Sequence, residues 1–455
     1  MHKKSPGSLI KVALPATILL LIFTAAASAS AGAVSPAVVS IAASNSTSVA
    51  LMDDGTVWQW GFNHGNFDWT KPTKIQISGV KQISAGDDHV LALKSDGTIW
   101  AWGSNTHGEL GDGTYQDSLD PVEVQNMSGI TAIAAGKDHS LALKSDGTVW
   151  AWGYNSYGQL GSGSKNDMGS PTPLEVNGLS DIKAIYSSGS HCFAIQNNGT
   201  VWAWGENLHG VLGDGTNESR YIPVKSKITG VNSIDAGAGW HVLAVKSDNN
   251  VWSWGYNFRG QLGTGGVSQS DQGMPSYGNS ADTYNPDIVR GISDVNAVAA
   301  GGAFSVALKK DGTVWVWGYN GDGQLGLGNV GGNDVTTPTQ VPGLNGVTAI
   351  AAGAYHTLAL KSDGTVWAWG SNADGQIGNN SVSSTDSPVL VLMSTQIPQP
   401  VSPTPIAATT STTTPTPGPT QAAGGLNLTL IVAIVVLVAI LVVVPVAYML
   451  VFRKK

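Results

Sequence analysis

Residues 133–163 read IAAGKDHSLALKSDGTVWAWGYNSYGQLGSG, and related versions of this stretch recur seven times along the chain. Each copy is centred on Trp-x-Trp-Gly, and these motifs contain 14 of the 16 tryptophans. A fixed internal period of this length is the sequence signature of a repeat architecture. We therefore interpret the motif tryptophans as structural. The motifs open at Trp58, Trp100, Trp150, Trp202, Trp252, Trp315 and Trp367.

A proline follows each motif, and the spacing on its two sides differs. The distance from each of the first six prolines to the next motif is 28 or 29 residues, whereas the distance from a motif to its own proline varies between 14 and 34. A stretch of constant length must keep register in a packed sheet, and a stretch that tolerates insertion must lie on the surface. The prolines are Pro72, Pro121, Pro173, Pro223, Pro286, Pro338 and Pro388.

The constant part of each repeat has the pattern of a β-hairpin. In the third copy, Asp146-Gly147 separates two alternating apolar runs, and Asp-Gly favours the positive φ angles of tight hairpin turns. The period of two places Trp150 and Trp152 on the same face of the sheet. A proline-led strand and the Ile-Ala-Ala strand complete a set of four strands per repeat.

The ends of the array favour a closed ring over an open solenoid. The first copy lacks a proline-led strand before it, and the missing strand is present at the other end as Pro388-Val-Leu-Val391. Pairing this strand with the N-terminal copy would remove exposed sheet edges. The sequence therefore predicts an all-β, seven-bladed β-propeller of four-stranded blades over residues 34–393, closed by strands from both termini.

The run Gly-x-x-His-x-Leu-Ala-Leu-x-x-Asp-Gly-x-Val-Trp-x-Trp-Gly-x-Asn-x-x-Gly-Gln-Leu-Gly-x-Gly resembles the repeat of the regulator of chromosome condensation family. The resemblance covers roughly residues 38–393. It implies the same seven-bladed propeller. It does not imply one activity, because members of the family include a nuclear exchange factor for the GTPase Ran, a secreted bacterial inhibitor of β-lactamase and many interaction modules.

The two ends of the chain predict export and membrane anchoring. Residues 1–31 have the basic, apolar and small-residue regions of a signal peptide, with an uncleaved anchor as the alternative. Residues 394–425 form a Thr/Pro-rich stalk, and residues 426–452 are apolar enough for one transmembrane helix. The basic tail 453–455 favours the cytoplasmic side of the membrane. We expect a single-pass cell-membrane protein with an extracellular propeller.

Composition excludes some partners. Leaving out the three basic residues at each end reduces the basic count from 23 to 17 against 31 acidic residues, a net charge of about −14. Such a surface repels phosphate backbones, so we expect no nucleic-acid partner. The single cysteine, Cys192, occupies a position where other repeats have Ser, Val or Thr, which favours a small packing residue.

The recurrent histidines and glycines are residue types that often bind ligands, but they occur at the same position in most repeats, which indicates a structural role. Five repeats carry a histidine at one position, where Thr47 and Phe304 stand in the other two. We interpret these histidines as hydrogen-bonding within each blade, and we expect no metal. The glycines of Gly-Gln-Leu-Gly indicate tight turns, because no phosphate-binding Lys-Ser/Thr follows. No cofactor is predicted. The histidines are His89, His139, His191, His241 and His356.

Function is expected where the repeats differ, and the position before the recurrent histidine is one such place. It holds Asp88, Asp138, Trp240 and Tyr355 in four of the copies, and the repeat of Trp240 has one extra residue there. An exposed aromatic side chain in this ring would be an anchor for a partner or a sugar. An edge residue packed between blades is the alternative.

The second variable place is the insertion from Thr264 to Asn285, which carries Met274, Tyr277 and Tyr284. A long loop in a compact repeat is often functional. In the Ran exchange factor an insertion in one blade carries the activity, but nothing here matches it residue by residue. A solvated excursion without function is the alternative.

These observations predict a cell-surface binding module whose partner is an extracellular protein or a glycan. Guanine nucleotide exchange is an alternative by family association, although Ran-type GTPases are intracellular. A surface enzyme acting on glycans is a second alternative, and it would need converging carboxylates, for which Asp87, Asp88 and Asp138 are the nearest candidates. We assign no catalytic residue from the sequence.

Overall fold

The computed structural model describes residues 36–61, 69–237, 239–266, 282–329 and 332–393. In these ranges 28 strands form seven four-stranded sheets. The prediction of an all-β, seven-bladed propeller is confirmed. None of the described residues belongs to a helix long and apolar enough to cross a membrane. The predicted signal peptide, stalk, transmembrane helix and basic tail lie outside the described residues.

The blades follow one another along the chain. Blade 1 contains β1 (Val38–Ser44), β2 (Thr47–Met52), β3 (Val57–Gly61) and β4 (Thr73–Lys74). Blade 2 contains β5 (Val80–Ala85), β6 (His89–Lys94), β7 (Ile99–Gly103) and β8 (Ser118–Glu123); blade 3 contains β9 (Ile130–Ala135), β10 (His139–Lys144), β11 (Val149–Asn155) and β12 (Asn166–Glu175). Blade 4 contains β13 (Ile182–Ser188), β14 (His191–Gln196), β15 (Thr200–Gly205) and β16 (Arg220–Thr229); blade 5 contains β17 (Val231–Ala236), β18 (His241–Lys246), β19 (Val251–Gly255) and β20 (Thr283–Ile288). Blade 6 contains β21 (Val295–Ala300), β22 (Phe304–Lys309), β23 (Val314–Gly318) and β24 (Val335–Gln340); blade 7 contains β25 (Val347–Ala352), β26 (His356–Lys361), β27 (Val366–Gly370) and β28 (Thr385–Leu390).

The predicted closure by strands from both termini is wrong. Every sheet is an antiparallel meander of four consecutive strands. The last proline-led strand, β28, pairs with the Trp-x-Trp strand before it, and blade 1 has its own short fourth strand, in which Lys74 pairs with Trp58. A two-residue strand has no period to read in a sequence, so β4 escapes pattern analysis. The proline-led strand therefore ends a blade and does not begin one.

The ring closes by packing between the first and last blades. Val38 and Trp60 of blade 1 share a buried apolar cluster with Leu358 of blade 7. The indole nitrogen of Trp60 donates a hydrogen bond of 2.9 Å to the carbonyl oxygen of Gln376. The same contact joins neighbouring blades elsewhere in the ring. Closure therefore uses the ordinary joint between blades.

The two tryptophans of each motif have different roles. The second one is fully buried and donates its indole N–H to the preceding blade, as Trp152 does to the carbonyl oxygen of Glu109 at 2.7 Å. The first one is half-buried, and in six blades a lysine lies over its ring; Lys144 Nζ is 4.1 Å from the ring centroid of Trp150. Both roles repeat around the ring, in agreement with a structural interpretation.

In blades 2 to 7 the recurrent proline lies inside the outermost strand, and in blade 1 Pro72 directly precedes that strand. This strand is a sheet edge, and an edge with free N–H groups is a template for pairing with another chain. Proline has no N–H to donate, so it blocks such pairing. The prolines inside fourth strands are Pro121, Pro171, Pro173, Pro223, Pro286, Pro338 and Pro388.

Candidate functional site

The antiparallel meander sorts the connections onto two faces of the propeller. The tight turns between second and third strands lie on one face, which we name the turn face. The loops between first and second strands and between third and fourth strands lie on the other, which we name the loop face. On the turn face the contacts repeat: Asp146 Oδ1 accepts hydrogen bonds from the Thr148 backbone nitrogen at 3.0 Å and its hydroxyl at 2.7 Å. The sites of interest are therefore on the loop face.

Trp240 is the most unusual residue of the loop face. Its φ angle is 59°, in the left-handed region that a bulky side chain rarely adopts. The residue is 37% exposed. Such strain persists only where surrounding contacts enforce it, and it concentrates at functional positions. Trp240 is therefore partly exposed, and its role as a binding anchor stays a prediction.

Three side chains hold the Trp240 ring in place. The indole nitrogen donates a hydrogen bond of 3.1 Å to Glu206 Oε2 in the neighbouring blade. The ring centroid of His209 lies 5.5 Å from that of Trp240, and Tyr256 meets it edge to face at 6.4 Å. His209 Nδ1 is in turn 3.0 Å from Asp282 Oδ2. The tryptophan is therefore pre-organised across the joint between blades 4 and 5.

Glu206 is a buried carboxylate at the same joint. The residue is only 5% exposed, and burial raises the pKa of its carboxyl, against the opposing effects of the Trp240 hydrogen bond, His209 and Lys137. Among the described residues, the indole of Trp240 is its one side-chain hydrogen-bond donor, and Oε1 has none. Oε1 is not one of the fully buried polar atoms that lack a partner, so it is accessible at the surface and can accept a hydrogen bond from a ligand.

Aromatic rings continue from Trp240 toward blade 6. Tyr256 stacks with Phe258 at 6.2 Å, and the Arg259 guanidinium lies 5.2 Å from the Phe258 ring and 4.9 Å from the Tyr319 ring. Arg259 is also paired with Asp334 at 3.2 Å. The loop face thus carries a continuous aromatic band over blades 5 and 6.

Carboxylates dominate the other side of Glu206, on blades 2 and 3. Burial raises the pKa of Asp87 to about 6, opposed by a hydrogen bond from the Ser44 hydroxyl at 3.1 Å. Burial also raises the pKa of Asp138, and Lys137 Nζ lies 4.0 Å from its Oδ2. Asp88 is half-buried beside them and repels both carboxylates. The structure therefore brings the three predicted aspartates together.

The inner strands enclose an axial cavity of about 230 Å³, lined mainly by Ala, Ser and Gly. Asp235 is the charged residue of this lining, and burial raises its pKa to about 7. Its carboxylate accepts hydrogen bonds from the Ala236 nitrogen at 2.9 Å and, in blade 6, from the Ala300 nitrogen at 3.2 Å. Asp235 thus links two blades beside the axis.

The remaining sequence candidates have separate positions. Tyr355 is 48% exposed on the loop face of blade 7. Tyr284 packs against Gly210 of blade 4, in the way that Tyr221 packs against Gly158. Met274 and Tyr277 lie outside the described residues. Tyr284 therefore shares a packing position that recurs between blades, and its binding role stays a prediction.

Four of the five recurrent histidines bond between blades, whereas the sequence suggested bonds within a blade. His89 Nε2 lies 2.9 Å from the hydroxyl of Ser140 in the next blade. Cys192 occupies the equivalent position, fully buried, with its sulfur 3.0 Å from His139 Nε2. Burial lowers the pKa of His89 to about 4 and that of His139 to about 3, so these rings stay neutral. Within the described ranges, no three side chains of His, Cys, Asp or Glu gather to hold a metal ion.

Sequence reasoning missed Glu206 and Tyr256, although a signal for them exists. The residue directly after Trp-x-Trp-Gly varies between repeats in the same way as the residue before the histidine. The first position begins a loop of the loop face and the second ends one, so comparing them together would have paired Glu206 with Trp240. The residues at this position are Phe62, Ser104, Tyr154, Glu206, Tyr256, Tyr319 and Ser371.

Comparison with known proteins gives related sequences and folds. A family model described as RCC1-like domain matches residues 23–276 and 180–432. The RCC1 domain-containing protein RUG3, mitochondrial, of Arabidopsis thaliana is 32% identical over 205 residues, 44% of either chain. The ultraviolet-B receptor UVR8 of the same plant is 32% identical over 214 residues, 46% of either chain. The matches thus span less than half the length of these curated relatives.

A solved structure extends the likeness over the propeller. Prp20p from Saccharomyces cerevisiae superposes with a TM-score of 0.66, covering 76% of this chain and 88% of the yeast chain. The sequences are 22% identical in this superposition, so the likeness concerns the fold alone.

Proposed function

The chain belongs to the RCC1-like domain family, and on that premise we propose that it is a binding module displayed at the cell surface. In this proposal the loop face of the propeller binds an extracellular protein or glycan. The predicted signal peptide, stalk and transmembrane helix would hold the propeller outside the cell. The stalk would give it reach toward mobile or distant partners.

The conformation of Trp240 carries this proposal. A tryptophan that is 37% exposed and has a φ angle of 59° would be unfavourable without a use, because the strain costs about 1–3 kcal/mol. Tryptophan is among the residues that most often dominate binding energy at interfaces. The neighbouring blade fixes the ring orientation through Glu206 before any partner arrives, which reduces the entropy cost of binding.

The test is a screen of the full chain, purified in detergent, against glycan and surface-protein arrays. Trp240→Ala should abolish specific binding. Tyr115→Ala is the matched control, since this tyrosine is 38% exposed in the third-to-fourth-strand loop of blade 2. Unchanged binding by folded Trp240→Ala, or equal losses in both variants, would contradict a site at Trp240.

Glycan hydrolysis is a second candidate, favoured by the aspartates of blades 2 and 3. Asp87 and Asp138 are partly buried, both have raised pKa values and they interact electrostatically. Carboxylates with raised pKa values are suited to general acid catalysis. Release of reducing sugar from polysaccharides by the full chain, lost in Asp87→Asn, would favour this candidate over simple binding.

A further inference from the structure

The joint between blades 4 and 5 combines two features that a ligand could use. Glu206 presents a buried carboxylate whose Oε1 has no hydrogen-bond donor among the described residues. Trp240 beside it has an exposed ring, and its indole N–H is already committed to Glu206 Oε2. What this place offers a ligand is therefore one acceptor oxygen and an aromatic surface.

A cation satisfies both features at once. Charge-assisted hydrogen bonds to a carboxylate are roughly twice as strong as neutral ones. An ammonium or guanidinium group is also attracted to the face of an indole ring, most strongly where water is excluded. A neutral hydroxyl group would gain from the hydrogen bond but not from the charge of a partly desolvated carboxylate.

We propose that Glu206 and Trp240 form a recognition site for a lysine or arginine side chain of a protein partner. This proposal rests on the proposed function of the loop face and specifies the chemistry of its partner. The guanidinium of arginine fits best, since its planar fork can donate to Oε1 while its face lies on the indole.

The surroundings favour a basic protein segment over a neutral glycan. Asp87 and Asp88 lie on blade 2 and Asp138 lies on blade 3, next to blade 4, and the part of the chain predicted to be exported has a net charge of about −14. This field attracts and orients a basic segment, whereas it contributes nothing to a neutral sugar. Lys137 is the cation that acts on both Asp138 and Glu206, and it is half exposed, so a partner's cation could share its place.

The experiment compares two peptides on the full chain in detergent. One is a short Gly-Ser peptide carrying several arginines, and the other has citrulline, the uncharged isostere, at the same positions. We expect the arginine peptide to bind, more weakly at high salt, and the citrulline peptide to bind at least about tenfold more weakly. A neutral oligosaccharide serves as a third probe.

Variants assign the binding to the site. Glu206→Gln and Trp240→Ala should each weaken arginine-peptide binding by about tenfold or more. Glu218→Gln is the matched control, because this carboxylate is on the same blade but 75% exposed and paired with Arg220. Thermal unfolding of each variant establishes that it is folded. Trp240→Phe keeps an aromatic face and should retain more binding than Trp240→Ala.

Failure of this inference differs from failure of the proposed function. If the arrays reveal a partner that depends on Trp240 but arginine and citrulline peptides bind equally, the cation site is wrong and the binding module stands. Oligosaccharide binding that Glu206→Gln leaves unchanged would have the same meaning. If the peptide discriminates as expected, binding should also decrease on acidification, because a protonated Glu206 has no charge to offer.

Discussion

The joint between blades 2 and 3 and the joint between blades 4 and 5 use the same positions differently. In the first, Ser140 bonds to His89 at 2.9 Å and donates its own hydroxyl proton to the Glu109 carbonyl, also at 2.9 Å. In the second, Val242 replaces the serine, and both ring nitrogens of His191 lack a partner among the described residues. One joint is fully bonded and the other leaves a buried histidine unpaired.

The difference coincides with the candidate site. Glu206 of blade 4 and Trp240 of blade 5 meet on the loop face of the joint between blades 4 and 5. We call this the weaker joint, because its buried His191 is unpaired, and the joint between blades 2 and 3 the stronger joint. The strained φ angle of Trp240 lies at the weaker joint. Proteins break local rules mainly at functional sites. The fully bonded joint belongs to the scaffold, and the joint with the unpaired His191 is where the proposed binding site lies.

The largest expected effect concerns Asp235, which lies beside the weaker joint near Tyr186 and links onward to blade 6. Its pKa of about 7 in the folded protein exceeds the ordinary aspartate pKa of 3.8, so the folded state binds the proton more tightly. The contribution of Asp235 to stability should therefore fall as pH rises from 4 to 8, by up to about 4 kcal/mol. The buried histidines contribute in the opposite direction, because burial lowers their pKa values, so the effect of Asp235 is read from the difference between the wild type and the variant. Asp235→Asn should lose that part of the pH dependence.

Denaturant unfolding at several pH values measures this effect. The bridges between the inner strands of blades 2 and 3 are the neutral residues Gln82 and Ser84, which supply the control. Ser84→Ala should lower stability equally at every pH. An Asp235→Asn profile parallel to that of the wild type would show that Asp235 does not titrate in this range.

The second prediction breaks the stronger joint. Ser140→Val should lower the free energy of unfolding by about 2 kcal/mol, because it leaves His89 without a partner in a buried place. Valine fits this position in blades 2 and 5, so overpacking is not the cause. Ser305→Val, which removes the equivalent bond to His241 at 3.0 Å, should cost the same. Denaturation curves with losses below about 0.5 kcal/mol would deny these bonds a stabilising role.

The third prediction, with the smallest effect, concerns a variant that gives His191 a partner at the weaker joint. Val242→Thr keeps the shape of the side chain and adds a hydroxyl near His191. Thr357 has a hydroxyl at the same position of blade 7, where it donates to the carbonyl oxygen of Gln324. We expect a gain of about 1 kcal/mol in unfolding free energy. Val90→Thr is the control, because Thr47 takes the place of the histidine there. Equal gains in both variants would mean that the unpaired His191 is not the cause.

Much of the fold could be predicted because its causes are local and repeated seven times. The Asp-Gly turns, the alternating strands and the small residues of the inner strand each follow from neighbouring residues. The closure could not be predicted, because the choice between pairing β28 with blade 1 or blade 7 depends on how the ends meet in space. The short strand Thr73–Lys74 also has too few residues to show a pattern.

The candidate site was predictable only in part. Trp240 was visible as an aromatic residue outside its motif, and Asp88 and Asp138 as departures from the repeat. Their surroundings were not visible, since Glu206 and Trp240 are separated by 34 positions and belong to different blades. The prediction that the histidines bond within a blade was wrong for the same reason, because Ser140, the partner of His89, is 51 positions further along the chain.

The sequence by itself determined the family, the number of blades and the identity of the scaffold tryptophans, because a period repeated seven times averages out local ambiguity. Only the tertiary structure decided which strand ends a blade, which hydroxyl each histidine nitrogen contacts across a joint, and which carboxylate accepts the indole N–H of Trp240. Those facts depend on contacts between residues in different blades. Such residues are far apart in the sequence and come together only when the propeller folds.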